Sequence, residues 1–489
     1  MEKTKWIKLV ERESDFWKNY MMISSMGDIK KVFDCTIKER LTTRRGMTFI
    51  HWMNPRAVWN CSLLIKKKLE QNPRFLEKMS LVFIGSQKKL LDINKRLEKI
   101  NFRNLTNEKL VGLYNRFCET YKGLYAAFHL AVYIDSIEDK AKSWLSNELK
   151  KIKQDKKFDD YFIKLSAWPE PSLLQEEELS LLEIAVKIKT KKGDADKLLD
   201  RHTTKFAGLP VVNDETKPWD KKYFQNQLGK LLNKSQDKLI EELKKLHSYR
   251  GQINKNQLTL FNRLSAPQLM RNFFRLIGLS TWIRLVSRST FALSHYASRN
   301  LFREIGRRNN LTSEDIKWLI PSETENLIFT GRLPSAKKLN ERKFASVLLF
   351  RNGKYIIFEG KKADEFIRKE IEELSPLLGS DFIKGAIAYT GIVQGTVKMI
   401  LSQKDIAKMQ PGDILVARMT TPEIVPAARL AAAIVTDEGG ITCHAAIISR
   451  ELKIPCIVGT KFATKILKDN DIIIVDASKG VIKKVNTKI

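Results

Sequence analysis

The chain has 489 residues, enough for about two to four domains on length alone. Hydrophobic residues make up 43% of it, which supports sizeable cores and excludes global disorder. The formal charge of +31 raises nucleic acid as a partner. Basic runs such as residues 150–157 and 187–192 are short and interrupted and carry no interleaved aromatics. Solvated helix faces are therefore the favoured reading, with nucleic acid disfavoured but not excluded.

The best candidate for a membrane span, residues 272–286, is interrupted by Arg275 and Arg284, so no span is expected. Met1-Glu2-Lys3-Thr4-Lys5-Trp6 lacks the apolar core of a signal peptide. The five cysteines, Cys35, Cys61, Cys118, Cys443 and Cys456, form no Cys-x-x-Cys pair. That pattern fits a reducing cytoplasm and argues against a zinc site or a disulfide framework.

Residues 1 to about 125 read mostly as helix and loop. Trp6, Phe16, Trp17 and Tyr20 can line one helical face. Residues 44–53 have mixed character, with room for a strand. Residues 63–99 largely follow helical spacing, and the apolar run 79–84 within them fits a strand or a helix. Residues 106–154 read as helical, with Thr106 capping a helix that starts at Asn107. His129 lies in an aromatic- and alanine-rich stretch and reads as a satisfied core histidine. Another amphipathic helix spans 173–191. His202 ends the next one and precedes a basic-aromatic segment and a Gly/Pro turn, either as a helix cap or as an element of an acceptor pocket.

Residues 223–246 read as one long charged helix and 257–308 as a second helical stretch. The latter carries Arg271, Arg275, Arg284, Arg288, Arg299, Arg303, Arg307 and Arg308, spaced so that several share helix faces. Salt bridges on solvated faces account for most of them. Arg284 and Arg288 are candidates to clamp a phosphate or carboxylate of an acceptor. Asn352-Gly353 between two apolar runs marks a β-hairpin. A polar helix over 363–378 and a linker near 378–380 follow. From Gly385 onward, strands at 396–401, 413–417, 433–435, 456–458, 472–475 and 481–485 alternate with helices near 422–430 and 445–452, as in a compact α/β domain.

The most informative stretch is Thr436-Asp437-Glu438-Gly439-Gly440-Ile441-Thr442-Cys443-His444-Ala445-Ala446-Ile447-Ile448-Ser449-Arg450-Glu451. An apolar strand ends, two glycines break the chain, and a helix begins. His444 sits at that helix start, where free N–H groups and the positive helix end attract an anion. Glycine lets the anion approach the backbone closely. A histidine there suits a phosphohistidine intermediate, and equally suits a helix-capping role without chemistry.

This stretch is similar to the phosphohistidine signature of the phosphoenolpyruvate-utilising enzymes, a group that includes phosphoenolpyruvate synthase, pyruvate phosphate dikinase and rifampicin phosphotransferase. The flanks, Met419-Thr420-Thr421-Pro422-Glu423 upstream and Lys453-Ile454-Pro455-Cys456-Ile457-Val458-Gly459 downstream, extend the resemblance. The chain thus reads as a multidomain α+β protein with a large, mostly α-helical N-terminal region over 1–330, a β-hairpin and helical linker over 331–380, and a C-terminal domain over 381–489, for which the resemblance implies the swivelling β/β/α phosphohistidine fold. The resemblance also implies that His444 carries a phosphoryl group and that Thr442 orients the imidazole or binds a phosphate oxygen. Gly439 and Gly440 then admit the phosphate, and Arg450 neutralises charge or forms a salt bridge. The segment beginning at His202 resembles helical linkers of the same group. Residues 309–321 resemble the connector that precedes its swivelling domain.

Two parts of the resemblance are missing. No ATP-grasp pattern is found upstream, and only about 45 residues follow His444, too few for a barrel. The expectation is therefore a phosphotransferase component without a metal site of its own. A separate ATP-grasp subunit supplies ATP and Mg2+ chemistry, and the acceptor is pyruvate-like or a hydroxylated small molecule bound by the helical region. The alternative is a non-catalytic regulatory protein that binds RNA or protein and retains a vestigial swivelling domain.

Overall fold

Strand β2, Glu39–Arg45, reads ERLTTRR, yet it is the central strand of a five-stranded antiparallel sheet. The computed structural model describes residues 6–30, 39–45, 48–72, 74–191, 193–211, 216–371, 382–401, 403–420, 424–439, 443–460 and 462–485. The chain divides into two units, Met1–Glu370 and Ile371–Ile489.

In the first unit the sheet order is β1 (Ile7–Glu13), β3 (Thr48–Met53), β2, β4 (Ala345–Arg351) and β5 (Lys354–Glu359). Residues 40–44 of β2 are buried, so its polar groups need partners inside the protein. Thr42 Oγ1 bonds His51 Nδ1 at 2.9 Å, and Trp52 Nε1 donates to Thr43 Oγ1 at 2.8 Å. The Arg44 guanidinium lies 3.7 Å from the Trp318 ring centroid, a cation–π contact. Burial pushes its pKa down to about 10, against the pull of the nearby Asp15 carboxylate.

The N-terminal expectation of a single aromatic helical face is corrected. Trp6 precedes strand β1, whereas Phe16, Trp17 and Tyr20 lie on the helix Phe16–Ser24, capped by Asp15 Oδ1 accepting from Lys18 N at 2.7 Å. The run 79–84 lies within the helix Phe75–Lys99, with Met79 and Phe83 in the core. Thr106 caps the helix Asn107–His129, its Oγ1 accepting from Lys109 N at 3.4 Å. His129 is a buried core histidine bonded to Ser25 Oγ at 2.9 Å.

The two long C-terminal helices of this unit break where local chemistry dictates. Ser235 caps Gln236–Arg263, which ends the expected 223–246 helix early and starts a new one. Ser265, at φ +46°, and Pro267 then separate that helix from Gln268–Arg308, 41 residues long. A second core, around Phe206, Phe224 and Leu239, is built by Leu173–Lys189, Ala195–Phe206, Lys221–Leu232 and the start of Gln236–Arg263. Asn352 and Gly353 both have positive φ, 50° and 82°, as a type I′ turn requires. The hairpin they close is part of the first sheet, because β4 pairs with β2 along its length. It is a structural part of this unit, whereas the residue pattern alone placed it in a connecting segment. Residues 372–380 of that expected linker lie outside the described residues, as does residue 381.

The second unit holds an eight-stranded mixed sheet. Its order is β6 (Phe382–Lys384), β13 (Val481–Lys484), β12 (Ile472–Asp476), β8 (Ile392–Met399), β9 (Ile414–Ala417), β10 (Ala433–Thr436), β11 (Cys456–Val458) and β7 (Ala386–Tyr389). Strands β8 to β11 are mutually parallel and the rest pair antiparallel. The helix His444–Leu452 contributes Ala445, Ala446 and Ile448 to one core, and the helix Ala463–Ile466 contributes Ala463 to another. Strands β6 and β7 and the Ala463–Ile466 helix are additions to the sequence reading. Among the described residues, no helix is long and apolar enough to cross a membrane.

Candidate active site at the ends of three parallel strands

Strands β9, β10 and β11 are wholly buried, so they read as continuous apolar runs without alternation. Their carboxyl ends lie side by side, with Ala417 opposite Thr436 and Val435 opposite Ile457. Loops leaving such an edge are where parallel sheets gather ligand-binding groups. The segment after β10 turns at once, with Thr436 Oγ1 donating to Glu438 O at 2.7 Å. Gly439 follows at φ +113°, where a Cβ would stand 2.6 Å from Cys443 Sγ. Both the backbone angle and the space demand glycine there.

Cys443 has extended backbone and serves as N-cap of His444–Leu452, and Ile447 N donates to Cys443 O at 3.0 Å. The buried face of this helix is Ala445, Ala446, Ile448 and Ser449. Ile447, 47% exposed, and Glu451 lie on the opposite side. His444 opens this helix at the carboxyl edge of the sheet, with the unsatisfied first-turn N–H groups of its own helix beside it. The His444 side chain, Gly440 and Thr442 lie outside the described residues, as do Thr421, Pro422 and Glu423.

Arg450 is in the last turn of the helix, about 9 Å along the axis from His444. It is partly buried, near the Cys456 thiol, which burial pushes up to about 12 and Arg450 pulls slightly the other way. Its position favours the negative helix end. Cys443 is half-buried and packs against the same core as Cys456.

The sequence reading passed over four residues at this edge. Asp437 is buried and accepts from Thr460 Oγ1 at 3.1 Å, from Thr464 N at 3.1 Å and from Thr464 Oγ1. Gly459, at φ +69°, lies against Gly439 O, which a Cβ would approach to 2.9 Å. One signal was present in the sequence: a charged residue two positions beyond the apolar run 432–435.

The candidate acceptor residues lie in the first unit. His202 is buried in the second core, its Nδ1 3.0 Å from Ser180 Oγ and its Nε2 3.1 Å from Glu177 Oε1. Its ring packs 4.9 Å from Phe206 and 4.6 Å from Phe224. Both ring nitrogens are thus engaged by the protein, and a ligand would have to displace one of those bonds. His202 lies within the helix Ala195–Phe206, so it is not a helix cap either. Arg284 and Arg288 are exposed on Gln268–Arg308, with Arg284 Nε donating to Ser280 O at 3.3 Å. None of the contacts of His202 is to either arginine. A cavity of about 10 Å³ lined by Asp15, Lys18, His295 and Lys317 has room for a single water at most. Among the described residues, no group of three or more His, Cys, Asp or Glu side chains is placed to hold a metal ion.

Residues 409–480 match the family model described as PEP-utilising enzyme, mobile domain. The chain is 54% identical over 124 residues to a probable phosphoenolpyruvate synthase of Archaeoglobus fulgidus, covering 25% of this chain and 16% of that protein. It is 52% identical over 100 residues to the corresponding protein of Methanothermobacter thermautotrophicus, covering 20% and 15%. It is 44% identical over 126 residues to the uncharacterized phosphotransferase YvkC of Bacillus subtilis, covering 26% and 15%. The chain thus spans about a sixth of the length of these curated relatives.

The edge at His444 therefore lies within the stretch that matches this mobile domain. The chain carries the mobile domain of the phosphoenolpyruvate-utilising enzymes over residues 409–480.

Proposed function

We propose that this protein is a phosphotransferase component resembling phosphoenolpyruvate synthase, and that His444 carries the phosphoryl group. The observation that supports it most is the placement of His444. It is the first residue of a helix at the carboxyl edge of β9, β10 and β11, inside the matched mobile domain. A lone pair on a ring nitrogen attacks phosphorus. The bond from phosphorus to the donor's leaving oxygen breaks, and the ring proton is lost to solvent. The same bond changes in reverse order deliver the group to an acceptor oxygen. First-turn N–H groups and the helix dipole stabilise the charge on the phosphoryl oxygens, so the chain supplies positioning and electrostatics.

The nucleotide and its magnesium ion enter with a separate ATP-grasp protein, and the acceptor is pyruvate-like or a hydroxylated small molecule. The second unit acts as a swivelling β/β/α carrier. The engaged state of His202 favours an acceptor site elsewhere on the first unit or on a partner.

The test is incubation with ATP labelled in its phosphoryl groups, with and without a co-encoded ATP-grasp protein. Acid-labile label on wild type and none on His444→Ala is the expected result. Equal label on both, or none on wild type in any pairing, contradicts the proposal.

A further inference from the structure

A carboxylate buried at the end of a strand normally faces a cation, because desolvating a charge is costly. Asp437, 3% exposed, instead meets hydroxyl and amide donors among the described residues: Thr460 Oγ1, Thr464 N and Thr464 Oγ1. Its main-chain N–H donates to Ala417 O at 3.1 Å, and Glu438 N donates to Arg418 O at 2.8 Å. Thr464 N belongs to the first turn of the helix Ala463–Ile466, whose own N-cap residue, Phe462, has no side-chain acceptor. Asp437 therefore caps a helix from the loop of a neighbouring strand. One residue thereby ties the segment leaving β10 both to the end of β9 and to the segment leaving β11.

We infer that Asp437 is a positioning residue for His444, acting through the loop between them. The inference rests on the phosphohistidine reading of the same site. The lever is short. Two residues beyond Asp437, Gly439 is held between Gly459 on one side and Cys443 on the other. Cys443 is the N-cap and His444 the next residue. Gly439 and Cys443 thus stand at the end of a run of contacts that begins at the Asp437 carboxylate. Without that carboxylate, Thr464 N and the Thr464 hydroxyl lose their acceptor, the Thr460 hydroxyl keeps only Thr436 O at 3.0 Å, and the loop entrance is free to shift. A shift of about 1 Å at a reacting group costs on the order of a hundredfold in rate.

The experiment uses the full chain and phosphoramidate, a small phosphoryl donor that needs no partner protein. Its P–N bond breaks, a bond from phosphorus to a ring nitrogen forms, and ammonia leaves with the proton. Phosphorus NMR distinguishes the two ring-nitrogen isomers of phosphohistidine. Wild type is expected to yield one isomer at His444. Asp437→Ala is expected to label at least about tenfold more slowly and to give a mixture of isomers. Asp437→Asn keeps an oxygen for Thr464 N and an amide for the Thr464 hydroxyl, and is expected within about threefold of wild type with the same single isomer. Thr464→Val, which loses only the hydroxyl, is expected to behave like a milder Asp437→Ala and serves if that variant does not fold. Far-ultraviolet dichroism and melting curves of every variant separate loss of fold from loss of position. A wild type labelled by neither phosphoramidate nor ATP with its partner overturns both the phosphohistidine reading and this inference. A labelled wild type with Asp437→Ala or a folded Thr464→Val unchanged in rate and isomer overturns the positioning role alone.

Discussion

Gly459 lies against the carbonyl oxygen of Gly439, close enough that a Cβ on Gly459 would stand 2.9 Å from it. Two loops from adjacent parallel strands thus meet through backbone atoms. Gly459→Ala places a side chain in that contact and in a left-handed conformation, which alone costs about 1–2 kcal/mol. The expected result is a lower melting temperature for the second unit and slower phosphohistidine formation. Thermal melts and label incorporation check both. An unchanged rate would mean that the Gly439 carbonyl has room to move without disturbing His444.

In the first unit, Arg342 is buried and its guanidinium joins three segments. Its Nε donates to Glu359 Oε1 at 2.5 Å, and NH1 and NH2 donate to Glu323 at 2.8 and 3.0 Å. NH1 also donates to Trp318 O at 2.6 Å, and the group lies 4.7 Å from the Phe16 ring centroid. Arg342→Met takes the cation from Glu359 and leaves Glu323 only Lys338, 2.9 Å away, and removing one partner of such a network costs about 3–5 kcal/mol. Arg342→Lys recovers only part of that, since an ammonium cannot reproduce the bidentate fork. Urea unfolding of the two variants measures the difference.

Acid should act on the first unit in two staggered windows that overlap between about pH 4.5 and 3. Burial, aided by repulsion from Arg40, holds the His129 pKa down at about 3. The unfolded chain, with an ordinary histidine, binds that proton first, so stability falls as pH drops from about 6.5 toward 3. For Glu304, hydrogen bonds from Arg307 and then Arg308, working against burial, hold the pKa at about 2. Its contribution is complete above the ordinary glutamate value and is lost as pH falls from about 4.5 to 2. His129→Gln should flatten stability against pH between about 6.5 and 4.5, and Glu304→Gln only below that. Denaturation midpoints across the pH range separate the two.

His202→Gln is expected to destabilise the second core by about 1–3 kcal/mol, because Ser180 and Glu177 lose well-placed partners. It should leave phosphoryl uptake on His444 unaltered. Calorimetry and label incorporation provide the two readings.

How legible the chain was depended on where polar groups went. The parallel strands of the second unit were readable because burial on both faces makes them unbroken apolar runs. Strand β2 was hidden, because Arg40, Thr42, Thr43 and Arg44 are buried polar residues whose partners, Tyr133, His51, Trp52 and Trp318, come from elsewhere in the chain. No local period reveals such pairings. The hairpin at Asn352-Gly353 was plain from its turn chemistry, but its membership of the first sheet depended on β2 and so stayed hidden. At the candidate site, the Gly-Gly turn and the helix start were visible at His444. Asp437 was not, since its importance lies in Thr460 and Thr464, more than twenty residues away. His202 looked like a pocket element because sequence does not show that Glu177 and Ser180 engage both of its ring nitrogens.

Site-resolved mass spectrometry of the full chain, kept at alkaline pH after incubation with ATP and an ATP-grasp partner, tests the central claim most directly. The account predicts one phosphoryl group, on His444, lost on acidification and absent from His444→Ala. A phosphoryl group that resides on another residue, or one that persists in His444→Ala, would contradict it.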